Sequence, residues 1–196
     1  ETLTRYPDIA QLLFTLFEQR LDPAGKQDAK VQAKLHDQLA AKLDQVANLD
    51  DDRIIRRFVE MIDATLRTNY YQLDKAGQIK PYISFKLAPA SITDMPLPLP
   101  KFEIFVYSPR VEGVHLRWGK VARGGLRWSD RKEDFRTEVL GLVKAQQVKN
   151  TVIVPVGAKG GFYCKQMPVG APRAVIQEEG KACYRLFIRG LLDVTD

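Results

Sequence analysis

The stretch from Lys120 to Lys165, KVARGGLRWSDRKEDFRTEVLGLVKAQQVKNTVIVPVGAKGGFYCK, constrains this chain more than any other. It reads as a Gly-Gly loop, a helix, a short apolar strand and a second Gly-rich loop carrying a lysine. Arg123, Arg127, Lys149 and Lys159 all fall at element ends or in loops of that pattern. Four cations around a strand end predict a pocket for a small anion, a carboxylate or a phosphate.

The residues before this stretch read first as helices. Ile9, Leu12, Leu13, Leu16 and Phe17 have helical spacing from Asp8 to Arg20, with Asp8 as the expected N-cap. Leu21–Lys26 (LDPAGK) breaks the pattern, and Val31, Leu35, Leu39 and Leu43 mark a second helix from about Gln27 to Val46. A third follows Asn48, carrying Ile54, Ile55, Phe58, Val59, Ile62 and Leu66. Asp50, Asp51 and Asp52 sit at its positive end, which suits helix capping better than metal binding. His36 is read as a filler rather than a ligand. The helical pattern runs from Glu1 to Tyr71, and the domain boundary is set between residues 76 and 77.

Composition then shifts toward strands. Ile83, Phe85 and Leu87 alternate with Tyr82, Ser84 and Lys86, a strand signal. Pro89, Pro96, Pro98 and Pro100 force an extended loop. Phe102–Tyr107 and Val114–Trp118 predict two further strands, separated by Pro109 and Gly113. Ser129 or Asp130 is the expected cap of the next helix, and Asp130 with Glu133 has capping-box spacing. That helix runs to about Val148, and Thr151–Val156 predicts a buried strand. Pro172 opens a last helix bearing Val175, Ile176, Ala182, Leu186, Phe187 and Leu191. The predicted fold class is α/β: a helical segment over 1–76, then a mixed-sheet domain over 77–196.

Composition excludes several functions. With 45% hydrophobic and 28% charged residues, the chain is of the ordinary soluble globular kind. No apolar run approaches the roughly 20 residues of a membrane span, and no signal peptide is visible. Two cysteines, Cys164 and Cys183, provide neither a disulfide framework nor metal-ligand spacing, so a reduced, cytoplasmic setting is expected. The net charge of +6 permits nucleic-acid binding, but Lys and Arg are interspersed with Asp and Glu instead of forming a basic block. Glu1 in place of an initiator methionine suggests a piece of a longer protein.

The chemistry lies in the central stretch. Phe135, Val139, Leu142, Gln146 and Lys149 share one side of the helix, so an apolar stripe ends in an amide and an ammonium. A bound carboxylate would satisfy both; the alternative is that Lys149 offsets the helix dipole. Lys159, within Gly157-Ala158-Lys159-Gly160-Gly161, is either a desolvated general acid–base or a solvated lysine on a surface loop. The loop is not a Walker A motif, because Ile153 and Ala158 stand where that motif needs glycine. Arg123 and Arg127, flanking Gly124-Gly125, could bind a carboxylate or a phosphate backbone, or pair with Glu133 and Asp134. Trp118 and Trp128 are read as packing residues and His115 as structural. No nucleophilic role falls to either cysteine.

ARGGLRW, AQQVKN and PVGAKGG, in that order, make the chain similar to the substrate-binding domain of glutamate dehydrogenases. The whole stretch resembles most the large NAD-specific bacterial type, with the matched motifs covering about Phe102 to Lys165. The resemblance implies NAD-dependent, reversible oxidative deamination of L-glutamate to 2-oxoglutarate and ammonium. By the same resemblance Lys159 is the catalytic lysine, acting on the water or carbinolamine at the substrate's α-carbon. Lys149 and Gln146 then contact the α-carboxylate, and Arg123 with Gly124 and Gly125 holds the distal carboxylate. The smaller enzymes have lysine where Arg123 stands, and arginine changes reach and geometry. The family's catalytic aspartate and a G-x-G-x-x-G fingerprint have no match here, so NAD would be bound mainly by a domain absent from this chain. The chain would then be an incomplete substrate-binding domain, inactive alone, within a homo-oligomer without nucleic-acid or membrane partners. Two competing readings use the same cations: a non-catalytic small-anion or nucleotide-binding module, and a basic nucleic-acid-binding domain.

Overall fold

Four helices open the chain in the computed structural model, which describes residues 1–120, 122–149 and 157–195, with backbone alone for 146–149. They are α1 (Thr2–Arg5), α2 (Pro7–Leu21), α3 (Ala29–Leu43) and α4 (Leu49–Ala64). They form one compact unit, Glu1–Thr65 with Ser91–Thr93. Ile9, Leu13 and Leu16 of α2, Leu35, Leu39 and Leu43 of α3, and Ile55 of α4 make its core. These are the i, i+3, i+4 positions that bury one helical face.

Several expectations change in detail. Helix α2 starts at Pro7, whose ring presets the helical φ at the first turn, so Asp8 is a first-turn acid rather than the cap. Helix α1 was not visible as periodicity because it is a single turn. Val31, Ile54 and Phe58 are exposed. Leu66 lies beyond α4, in a strand. The cap of α4 is Asn48, whose Oδ1 accepts from the Asp50 and Asp51 N–H groups at 2.9 and 3.0 Å. Asp51 is buried and accepts from Thr2 Oγ1 at 2.9 Å and from the Arg5 guanidinium, tying α4 to α1.

The second unit comprises Leu66–Ala90 and the chain from Asp94 onward. Its sheet has strands β1 (Thr65–Thr68), β2 (Ile83–Leu87), β3 (Phe102–Tyr107), β4 (Val111–Arg117), β5 (Leu126–Ser129) and β6 (Ala158–Cys164). Their order is β1-β2-β3-β4-β6-β5. β2, β3, β4 and β6 run antiparallel in succession, while β5 lies parallel to β6. Two helices complete the unit, α5 (Phe135–Lys149) and α6 (Arg173–Asp193). The mixed α/β architecture is therefore the one anticipated. The strand expected over Thr151–Val156 lies outside the described residues.

Both sheet faces are covered. On one, Ile104, Val106, Val111, Phe162 and Cys164 pack against Cys183, Phe187, Leu191 and Val194 of the α6 region. On the other, Val114 and Leu116 pack against Phe135, Val139 and Leu140 of α5. Ser84 and Lys86, the polar members of the β2 alternation, pair with Val106 and Ile104 on the α6 face and are buried there, while the apolar Ile83 and Phe85 are only half-buried. Gly113 is inside β4, where a Cβ would stand 2.5 Å from the Phe187 ring, so it marks close packing with α6 rather than a turn. Helix α5 begins only at Phe135, leaving Ser129 and Asp130 ahead of it.

Candidate functional site

β5, α5 and β6 form a strand–helix–parallel-strand unit, and every site residue expected from the sequence lies in it or in the loop that leads into it. Because β5 and β6 are parallel neighbours, α5 must carry the chain back, and its last turn returns toward the end where both strands start. Arg123-Gly124-Gly125 lies immediately before β5, and Lys159 is the second residue of β6. The backbone joins them: Ala158 N–H donates to Arg123 O and Gly160 N–H to Gly125 O, each at 3.2 Å. The Trp118 N–H donates to Gly157 O at 3.1 Å, closing the same corner from the end of β4.

The glycine pair makes this approach possible. A Cβ on Gly124 would lie 1.5 Å from Ala158 O, so no side chain fits there. A Cβ on Gly125 would lie 3.4 Å from Lys159 Nζ, placing the end of the lysine side chain directly beside the loop. Lys159 is half-buried and Arg123 exposed. Among the described residues, neither side chain has an ion-pair or hydrogen-bond partner, whereas Arg110, Arg127 and Arg136 of the same unit are each paired with a glutamate.

Lys159 is on a strand, not in a loop, which corrects the reading of PVGAKGG. It pairs with Leu116 of β4, at the carboxyl end of β4 and the amino ends of β5 and β6. The glycines that suggested a loop serve close packing instead. A Cβ on Gly160 would meet Leu126 Cδ2 at 2.5 Å, and one on Gly161 would meet Val139 Cγ2 at the same distance. Gly161 therefore seats α5 on β6, two residues from Lys159 and on the same sheet face.

Arg127 leaves the expected cluster of cations. Its Nε donates to Glu138 Oε1 at 2.6 Å, rather than to Glu133 or Asp134. Ser129 Oγ donates to the other oxygen of the same carboxylate at 2.5 Å. Donation from Ser129, then from Arg127, holds the Glu138 carboxyl below the usual carboxylate range. Asp134 pairs instead with Arg131, at 3.3 Å.

Along α5 the buried stripe is Phe135, Val139, Leu140 and Val143, while Leu142 is exposed. The expected Phe135–Val139–Leu142 face is therefore rotated toward Leu140 and Val143. Gln146 and Lys149 occupy the last turn of the helix, and the expectation for their side chains falls outside the described residues.

The remaining candidates are structural. His115 is buried and its Nδ1 accepts from Arg117 Nε at 3.1 Å. Burial, helped by the Arg117 charge, pushes its pKa down to about 4, so the ring is neutral near pH 7. Trp128 stacks on Phe162 with ring centroids 6.3 Å apart and covers Gly180 of α6. Cys164 and Cys183 are buried free thiols on the α6 face. Glu138 was missed by sequence reasoning, since spacing does not reveal that a helix residue will bridge two strand residues. No group of metal-ligating residues exists among the described residues, and none of their helices is long and apolar enough to cross a membrane.

Residues 38–196 match the family described as bacterial NAD-glutamate dehydrogenase, catalytic domain. The chain is 60% identical over 195 residues to an NAD-specific glutamate dehydrogenase of Halomonas elongata, covering 100% of this chain. It is 61% identical over 198 residues to one of Pseudomonas aeruginosa and 53% over 205 to one of Mycobacterium tuberculosis. In each case it spans 12% of the length of the relative.

Proposed function

This chain belongs to the bacterial NAD-glutamate dehydrogenase catalytic-domain family, and from that premise we propose that it supplies most of a glutamate-binding site. The reaction is reversible oxidative deamination of L-glutamate to 2-oxoglutarate and ammonium, performed by the longer parent protein. The observation that carries this reading is the junction of Arg123-Gly124-Gly125 with Lys159, at the sheet end toward which α5 returns.

The roles follow from the chemistry of the groups. Arg123 presents a planar fork of donors suited to the distal carboxylate of a dicarboxylic substrate. Lys149 and Gln146, in the last turn of α5, take the α-carboxylate. The substrate then lies with its α-carbon at Lys159, whose Nζ takes a proton from the attacking water and returns it to the departing amine nitrogen. Gly124 admits no bulk that would separate the loop from β6, and Gly125 lies beside the Lys159 Nζ. NAD supplies the hydride acceptor, and the residues here do not fit it. The β5-to-α5 turn, Asp130–Asp134, carries three carboxylates and no glycine, whereas a pyrophosphate needs a Gly-rich turn opening a helix. We therefore assign NAD to the parent outside this chain and derive no step through it.

The test is NADH oxidation by the full-length parent, requiring both ammonium and 2-oxoglutarate. A folded Lys159→Ala variant is expected to lose several orders of magnitude in kcat. An inactive parent that still binds 2-oxoglutarate would instead support a non-catalytic small-anion module. Full activity in the variant would remove Lys159 from the chemistry.

A further inference from the structure

We infer that Glu138 is a positioning residue for the reaction, a clamp that sets α5 against β5 and so places the groups at both ends of that unit. The inference rests on the dehydrogenase reading above. One carboxylate, its side chain 12% exposed, receives Arg127 Nε at 2.6 Å and Ser129 Oγ at 2.5 Å. Arg127 and Ser129 are two residues apart on β5 and therefore share a face, the one to which Gly125 also belongs. Ser129 is buried, and its Oγ also accepts from the Arg131 N–H at 3.1 Å, fixing the turn into α5. The clamp thus grips the strand that continues from the Arg123-Gly124-Gly125 loop.

The neighbouring residue of α5, Val139, fills the space left by Gly161 on β6. Glu138 and Val139 together hold α5 to both strands, one through polar contacts and the other through close packing. Gln146 and Lys149 follow eight and eleven residues later on the same helix, roughly 12 to 16 Å along its axis. Without the carboxylate, Val139 remains as a pivot, and a small tilt there is displaced farther at the last turn. Positioning errors near 1 Å can cost on the order of 100-fold in rate, so a contact remote from the substrate can control turnover. Arg127, which the sequence grouped with the substrate cations, belongs to this clamp.

Steady-state kinetics on the full-length parent test the clamp. Glu138→Gln is expected to lower kcat/KM for 2-oxoglutarate by about tenfold or more while the KM for NADH stays within about twofold. Arg127→Gln should produce a similar loss, and the double variant should be no worse than either single one. If Glu138→Gln does not fold, Ser129→Ala, which removes one of the two contacts, is expected to show the same split in smaller measure. Unchanged kinetics, equal effects on both substrates, or additive losses in the double variant would overturn the inference. Wild-type parent without ammonium- and 2-oxoglutarate-dependent NADH oxidation would instead sink the dehydrogenase reading itself, and the clamp with it.

Discussion

His115 shows how burial alone decides the behaviour of a residue. Its ring is 3% exposed on β4, and its Nδ1 already accepts from Arg117. Burial first, and the adjacent guanidinium second, push its pKa from 6.5 to about 4. Between those values the unfolded chain binds a proton that the folded chain refuses, so stability falls as pH drops from 6.5 toward 4. The loss attributable to this group is up to about 3 kcal/mol. Urea unfolding at several pH values should show it, and His115→Asn should flatten that part of the profile; parallel profiles for the two proteins would refute it. The structural reading of His115 was legible from its apolar flanks, but the direction of its titration was not. That depends on Arg117 being bonded to it and on α6 covering the strand. The glycines of ARGGLRW and AKGG were legible only as a tight turn and a loop, not as close approaches within the sheet. What they approach, Ala158 O for Gly124 and Val139 for Gly161, is set by pairing across the sheet.

At the scale of elements, periodicity located α2, α3, α4 and α6 well, because each buries one face and leaves the other to solvent. It located β3 equally well. It also located β2 to within one residue, but not which face of it is buried: the polar pair Ser84 and Lys86 lies on the α6 face. It missed β6, which carries so many small residues that it resembled a loop. Both outcomes follow from packing: β6 lies between α5 and α6 and needs fit on each side, and the alternation rule assumes that the apolar face is the covered one. Gly113 makes this testable. A methyl group there would sit 2.5 Å from the Phe187 ring and 3.0 Å from Gly161 O. Gly113→Ala is expected to cost about 1–3 kcal/mol through overpacking, seen as a lower urea midpoint. Phe187→Leu in the same chain should recover part of that loss. An unchanged midpoint in Gly113→Ala would show that α6 can shift without penalty.

At the scale of the whole molecule, the chain divides into a helical unit and a sheet unit, and the sheet unit holds all the proposed chemistry. The chain spans 12% of its Halomonas elongata relative, and no G-x-G-x-x-G occurs in its 196 residues. The chain by itself is therefore expected to show no NADH oxidation with ammonium and 2-oxoglutarate under conditions where the parent does. Turnover by the isolated chain would mean that it carries a cofactor site of its own. By itself the sequence determined the helical beginning, the mixed α/β class, the family and the residues of the proposed site. These depend on local periodicity and on short motifs, which a linear string retains. Only the tertiary structure decided that Lys159 stands on a strand beside Gly125, that Arg127 is held by Glu138, and that the α5 stripe runs through Leu140 and Val143. Each of those outcomes depends on which distant segments pair across the sheet, and strand pairing is set by the fit of both faces rather than by neighbours in the chain.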